Sequence, residues 1–142
     1  MRYWDASAII PLFLQQPASN SARSNLDRDP ELIVWWGTPI ECYSALGRVV
    51  RAGDLPGDAA HLARATIARL RDAWTEVQPT EAVRSTAERL LQRHPLRAAD
   101  AFQLGAALEW ADQRPDGHGF VTLDKRLAEV AAKEGFVVAA FE

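Results

Sequence analysis

The sequence predicts an α/β fold built on a mostly parallel sheet, and three observations predict it. Short apolar or β-branched runs alternate with longer stretches of helical period, the pattern of a domain whose helices cover a sheet. One of those runs, Leu32 to Trp36, is apolar throughout, as a strand covered on both faces should be. Helical stretches separate nearly all the strand-like runs, so the crossovers should be right-handed and the strands mostly parallel. With 142 residues, the chain has room for one compact domain spanning 1–142, at about 100–200 residues per domain.

Taken in order, Arg2 to Asp5 reads as a first strand, followed by a helix from about Ser7 to Leu14 that Pro17 closes. Ala18 to Arg28 reads as a short helix ended by Asp29-Pro30. After the apolar run at Leu32 to Trp36, Thr38 is expected to be an N-cap, with Pro39 at the first helical position and Glu41 closing a capping box. That helix should run to about Ala52, with Gly53 as its stop. Asp58 to Trp74 carries an apolar stripe of Leu62, Ile67, Leu70 and Trp74, and Glu76 to Gln78 reads as a weak third strand. Thr80 caps a helix over Glu81 to Arg93, and Pro95 interrupts before another from about Ala98 to Ala111. Phe120 to Leu123 reads as a strand, Lys125 to Lys133 as a helix with Gly135 just past its end, and Phe136 to Ala140 as the last strand.

Composition narrows the function classes. Apolar residues make up 48% and charged residues 25%, ordinary globular usage that excludes disorder and collagen-like repeats. No run approaches the roughly 18 apolar residues of a membrane span, and no apolar segment follows Met1, so neither a membrane protein nor a signal peptide is expected. Cys42 is the only cysteine, which rules out an internal disulfide and fits a reducing cytoplasm. The net charge of −3 argues against broad capture of nucleic acid, yet a carboxylate-bound cation would reverse the local field where it matters.

The chemistry starts from carboxylates. The three histidines, at 61, 94 and 118, are scattered and expected to face solvent, so a Ser-His-Asp or Cys-His arrangement has no positioned imidazole. The glycines form neither GxxxxGK[ST] nor GxGxxG. Instead, Asp5 and Asp124 each close a strand just before a helix, while Glu41 and Asp100 each lie in the first turn of a helix. In a parallel sheet those positions share one edge, outside the carboxyl ends of the strands, where ligands bind. Asp5, Glu41 and Asp124 should converge there, and Asp100 can join them. Four carboxylates in one crevice call for a hard cation with oxygen ligands, Mg²⁺ or Mn²⁺.

Each acid taken singly also has a purely structural explanation, because a carboxylate at a helix start gains roughly 0.3–1 kcal/mol from free N–H groups and the dipole. That explanation leaves Ser7, two residues after Asp5, and Thr122, two before Asp124, unaccounted for. Both can turn a hydroxyl toward the same crevice. Arg97 could hold a phosphate, although a solvated helix-start arginine explains it as well. Trp35 and Trp36 could stack on bases, and more often such residues pack in a core or on a partner. Ile9 to Leu14 is wide enough in its apolar face to be core or part of a groove for another chain.

The segments Tyr3-Trp4-Asp5-Ala6-Ser7-Ala8, Thr38-Pro39-Ile40-Glu41, Leu96 through Leu104 and Phe120-Val121-Thr122-Leu123-Asp124 together resemble the PIN domain. A chain of this size resembles the VapC toxins of bacterial toxin–antitoxin pairs. The resemblance covers essentially the whole chain and implies a PIN-like three-layer α/β/α fold with a central, mostly parallel five-stranded sheet. It implies a Mg²⁺- or Mn²⁺-dependent endoribonuclease in which Asp5, Glu41, Asp100 and Asp124 are catalytic and hold the metal, with Ser7 and Thr122 beside them. It also implies a homodimer and a cognate antitoxin laid along an apolar groove, for which Ile9 to Leu14 is the candidate. The residues agree with hydrolysis of an RNA phosphodiester by a metal-activated water, leaving a 5′-phosphate and a 3′-hydroxyl. The alternatives are a partner-binding module with little catalysis and a metal-dependent nuclease acting on DNA. A phosphatase beginning with a strand-end Asp generally needs a second acid two residues on, where this chain has Ser7.

Overall fold

The computed structural model describes residues 1–141. Its elements run β1 (Arg2–Trp4), α1 (Ala6–Phe13), α2 (Ser19–Arg28), β2 (Leu32–Trp35), α3 (Thr38–Arg51), α4 (Gly57–Ala73) and β3 (Thr75–Val77). They continue with α5 (Glu81–Arg93), α6 (Ala98–Trp110), β4 (Gly119–Val121), α7 (Lys125–Glu134) and β5 (Val137–Val138). The strands form one five-stranded sheet in the order β3-β2-β1-β4-β5, every pair parallel. The expected α/β fold and its parallel sheet are therefore what the chain adopts.

The pleat sorts the core into two layers, because successive side chains on a strand point to opposite faces. Tyr3, Ile33 and Phe120 face one way and pack with Val83, Leu90, Leu104, Leu127 and Val130, from α5, α6 and α7. Trp4, Leu32, Val34 and Val121 face the other way and pack with Ile9, Phe13, Cys42, Leu46 and Ile67, from α1, α3 and α4. Trp4, Tyr3 and Phe120 are completely buried, and each such side chain contributes about 1.5–3 kcal/mol of transfer free energy. β1 lies at the centre, with Tyr3 opposite both Ile33 and Phe120, so its carboxyl end is flanked on both sides.

Local differences from the expected elements have physical causes. The capping box at Thr38 does not form. Gly37 occupies the N-cap position without a side-chain bond, Thr38 lies inside the first turn, and the Thr38 and Glu41 side chains turn to Gln103 of α6 instead. β4 stops at Val121 rather than Leu123 because side chains satisfy the next backbone donors. Leu123 N–H donates to Ser7 Oγ at 2.9 Å and Asp124 N–H to Thr122 Oγ1 at 3.0 Å. α1 carries Pro11 inside it, a position that disfavours a helix, yet Ile9, Pro11 and Phe13 are buried and hold it in place. Gly135 ends α7 at φ +115°, a left-handed backbone that a residue with a Cβ rarely adopts.

One expectation about exposure is corrected, and one open choice is narrowed. Only His61 lies open to solvent. His94 is half-buried with its Nε2 2.7 Å from Glu134, and His118 packs edge-on against Trp110 at 5.0 Å. Ile9 to Leu14 is mostly core: Ile9, Phe13 and Leu14 are buried, and Ile10 and Leu12 are half-buried. Leu12 alone of these lines an open apolar cleft, with Leu26, Leu32 and Leu70.

Candidate active site

The carboxyl edge of the sheet is where the chain turns from β1 into α1, from β2 into α3 and from β4 into α7. Asp5 is the N-cap of α1, in an extended conformation that frees its side chain to accept from Ser7 N–H at 3.3 Å. Ser7 Oγ donates to the other Asp5 oxygen at 2.7 Å. The Ser7 hydroxyl also lies 3.2 Å from Thr122 Oγ1. Asp124 caps α7 through Leu127 N–H at 3.0 Å. Asp5, Ser7, Thr122 and Asp124 thus form one bonded unit across β1 and β4, although 119 residues separate its ends.

Glu41 is held differently. Gln103 Nε2 donates to Glu41 and, at 3.3 Å, to Thr38 Oγ1. The orientation of the amide is set from the far side by Tyr3, whose hydroxyl donates to Gln103 Oε1 at 2.6 Å. Gln103 and Tyr3 are buried. Asp100 lies one turn before Gln103, in the first turn of α6, and its carboxylate is 3.6 Å from Arg97 Nε. Asp100 and Asp124 share a cleft of about 360 Å³ with Arg97, Lys125 and Arg126.

Electrostatics ties the acids together. Burial pushes the Asp5 carboxyl up to about 6; the hydroxyls of Thr122 and Ser7 pull against that shift, and the charge of Asp124 adds to it. Burial also raises Glu41, against the Gln103 bond, and the charges of Asp5 and Asp100 push it further. Buried carboxylates that raise one another are a poor arrangement for stability alone. The Cys42 thiol, pushed up to about 12 by burial, takes no part.

The six residues singled out in the sequence therefore lie along this edge, but as two linked groups. Among the described residues, no three carboxylate, imidazole or thiol side chains gather closely enough to chelate one cation as placed. Each acid is instead turned onto its own donor: Asp5 onto Ser7, Asp124 onto Leu127 N–H, Glu41 onto Gln103 and Asp100 onto Arg97. The donor set fits a hard divalent cation nonetheless. It is all oxygen, and its most buried member is a carboxylate whose charge the protein itself leaves uncompensated.

Gln103, Tyr3 and Thr38 are the residues that sequence reasoning missed. One signal does mark Gln103. It is the single polar side chain in Ala101–Leu108, three residues after Asp100 and on the same side of the helix.

No curated protein matches the chain. Among solved structures, a toxin–antitoxin complex from Klebsiella pneumoniae has a similar fold, with a TM-score of 0.64. It is 16% identical, and the match covers 99% of this chain and 97% of that one. Residues 2–133 match the model of the PIN domain. The chain belongs to the PIN-domain family, whose members are generally metal-dependent nucleases.

Proposed function

We propose that the protein is a Mg²⁺- or Mn²⁺-dependent endoribonuclease of the VapC type, active in the cytoplasm as a homodimer and restrained by a cognate antitoxin. The observation that carries this reading is the buried Asp5 carboxylate, raised by burial and by Asp124, at the edge that also holds Glu41 and Asp100. Asp5, Glu41, Asp100 and Asp124 are the residues that would hold the cation. When bound, it supplies Lewis acidity and a water of lowered pKa.

The chain's own residues do the rest. Ser7 and Thr122 hold the Asp5 carboxylate, and Gln103 holds Glu41, so both acids stay at this edge and the cation would draw them together from there. Arg97, Lys125 and Arg126 ring the cleft beside Asp100 and Asp124 and attract the phosphates of a polyanion that the acids alone would repel. His94 is tied to Glu134 and His118 packs on Trp110, so no imidazole serves as a base at this edge. Water in place of the ribose 2′-hydroxyl then leaves a 5′-phosphate and a 3′-hydroxyl. The cleft of Leu12, Leu26 and Leu70 is a surface on which an antitoxin segment would lie.

The test is cleavage of total cellular RNA by the purified chain in Mg²⁺, Mn²⁺ or EDTA, with single-stranded DNA and Asp5→Asn alongside. Discrete RNA fragments that need metal and are absent with Asp5→Asn support the reading. Cleavage of DNA in preference to RNA, or activity that survives both EDTA and Asp5→Asn, overturns it.

A further inference from the structure

A second cleft opens at the carboxyl ends of β2 and β3, on the same edge as the acids. It measures about 450 Å³ and is mostly apolar, with Trp35, Trp36, Pro79 and Phe102 among its walls. The Trp35 and Phe102 rings lie parallel, 7° apart in plane with centroids at 5.4 Å. Trp36 is 52% exposed, an unusual position for the largest apolar side chain in a small protein. The cleft is joined to the acids through the backbone on both sides. Trp36 and Gly37 lead directly into Thr38 and Glu41, and Phe102 adjoins Gln103. Gly37 keeps this mouth open, because a Cβ there would fall 2.6 Å from Trp35 Nε1.

We infer that this aromatic cleft is a base-binding subsite, which takes one unpaired nucleobase of the RNA next to the bond that is cut; the inference rests on the function proposed above. The exposed Trp36 ring, set beside the Trp35–Phe102 stack, suits a flat heterocycle, since every base offers a π-face. Arg84 and Glu81, paired with each other at the rim, add a donor and an acceptor for a base edge. A duplex stacks its base faces away and shows only base edges, 2′-hydroxyls and backbone, so a subsite of this kind selects single-stranded or looped RNA. The acids would then lie between a subsite that reads a base and the Arg97, Lys125 and Arg126 rim that meets phosphates.

The experiment uses the full chain and short single-stranded RNAs with 2-aminopurine placed at each position in turn. Binding is followed in Ca²⁺ and cleavage in Mg²⁺, for the unmodified protein and Trp36→Ala. The side chain of Trp36 is half exposed, so its melting temperature should not change. The expected result is quenching of 2-aminopurine at one position, lost in Trp36→Ala. With it should go about tenfold in kcat/KM and the base preference at that position. An active protein whose Trp36→Ala variant keeps the quenching, the rate and the preference overturns the inference. Loss of self-association in Trp36→Ala with cutting unchanged also overturns it, making the cleft a contact between copies. Trp36-dependent quenching without any cleavage sustains the subsite while sinking the nuclease reading.

Discussion

The two halves of the acidic edge are built on opposite principles. Asp5, Ser7, Thr122 and Asp124 are held by short-range devices: two N-caps, a hydroxyl two residues on and a hydroxyl two residues back. Glu41 is held by a chain of side chains, Tyr3 to Gln103 to Glu41 and Thr38, whose partners lie 62 to 100 residues apart in sequence. In the first half each acid is placed by the start of its own helix, and the Ser7 hydroxyl then joins the two starts across the sheet through Thr122 and Leu123 N–H. The second exists only once α6 is seated under the sheet. Carboxylates with the same proposed task thus depend on folding to very different degrees.

The largest effects test the first half. Asp5→Asn is expected to abolish cleavage while leaving the fold intact, because asparagine also caps a helix well. It should even stabilise the metal-free protein. Asp5 moves from 3.8 to about 6 on burial, a separation worth about 3 kcal/mol against the charged form. Its contribution to stability is therefore whole below about pH 4 and is lost as the pH rises through 6. Denaturant unfolding across that range should show Asp5→Asn gaining on the native chain, with the gap level above about pH 7. A gap that closes with rising pH contradicts the buried, uncompensated carboxylate.

Next comes the second half. Gln103→Leu leaves the completely buried Tyr3 hydroxyl without its acceptor and Glu41 without its donor. Stability should fall by about 1–3 kcal/mol, and Mn²⁺ affinity measured by calorimetry by about 10–100-fold. Lowered stability with unchanged metal affinity would reduce Gln103 to a core residue. Ser7→Ala should act on both stability and titration. Stability should fall by about 1 kcal/mol as Leu123 N–H loses its acceptor, and the midpoint of the activity–pH profile should move upward, since Asp5 loses a bond that favours its charge. The smallest effect is expected for Arg126→Ala, which should weaken RNA binding evenly across sequences. The slope of log affinity against log salt should flatten by about 0.7, the value of one phosphate contact on a single strand.

The same contrast explains which parts of the site are legible in the sequence. Strand-end acids followed by helix starts are local patterns, so the order of residues alone places Asp5 and Asp124 on the edge of a parallel sheet. Thr80 and Asp124 cap their helices as their spacing predicts. Thr38 and Glu41 carry an equally good capping pattern and do not use it, because a buried glutamine 62 residues away from Glu41 offers a better-shielded bond. His94 gives no local sign of its partner for the same reason, since Glu134 lies 40 residues on. Ile9 to Leu14 is apolar enough for a partner chain, but α2, α3 and α4 of the same chain cover most of it. Local pattern locates helix starts; only topology decides which of their side chains find a distant partner.

The central position of β1 has a consequence for synthesis. β1 is made first, yet the strand beside it, β4, begins at Gly119. As the chain leaves the ribosome, Asp5 waits for more than 100 residues before Thr122 and Asp124 can reach it. Loop closure over such a span is slow compared with local helix formation. The acidic edge is therefore among the last parts of the molecule to be assembled, and a chain interrupted before β4 lacks Thr122 and Asp124. If the proposed ribonuclease activity holds, such late completion would keep the nascent chain harmless to the template and ribosome that are making it.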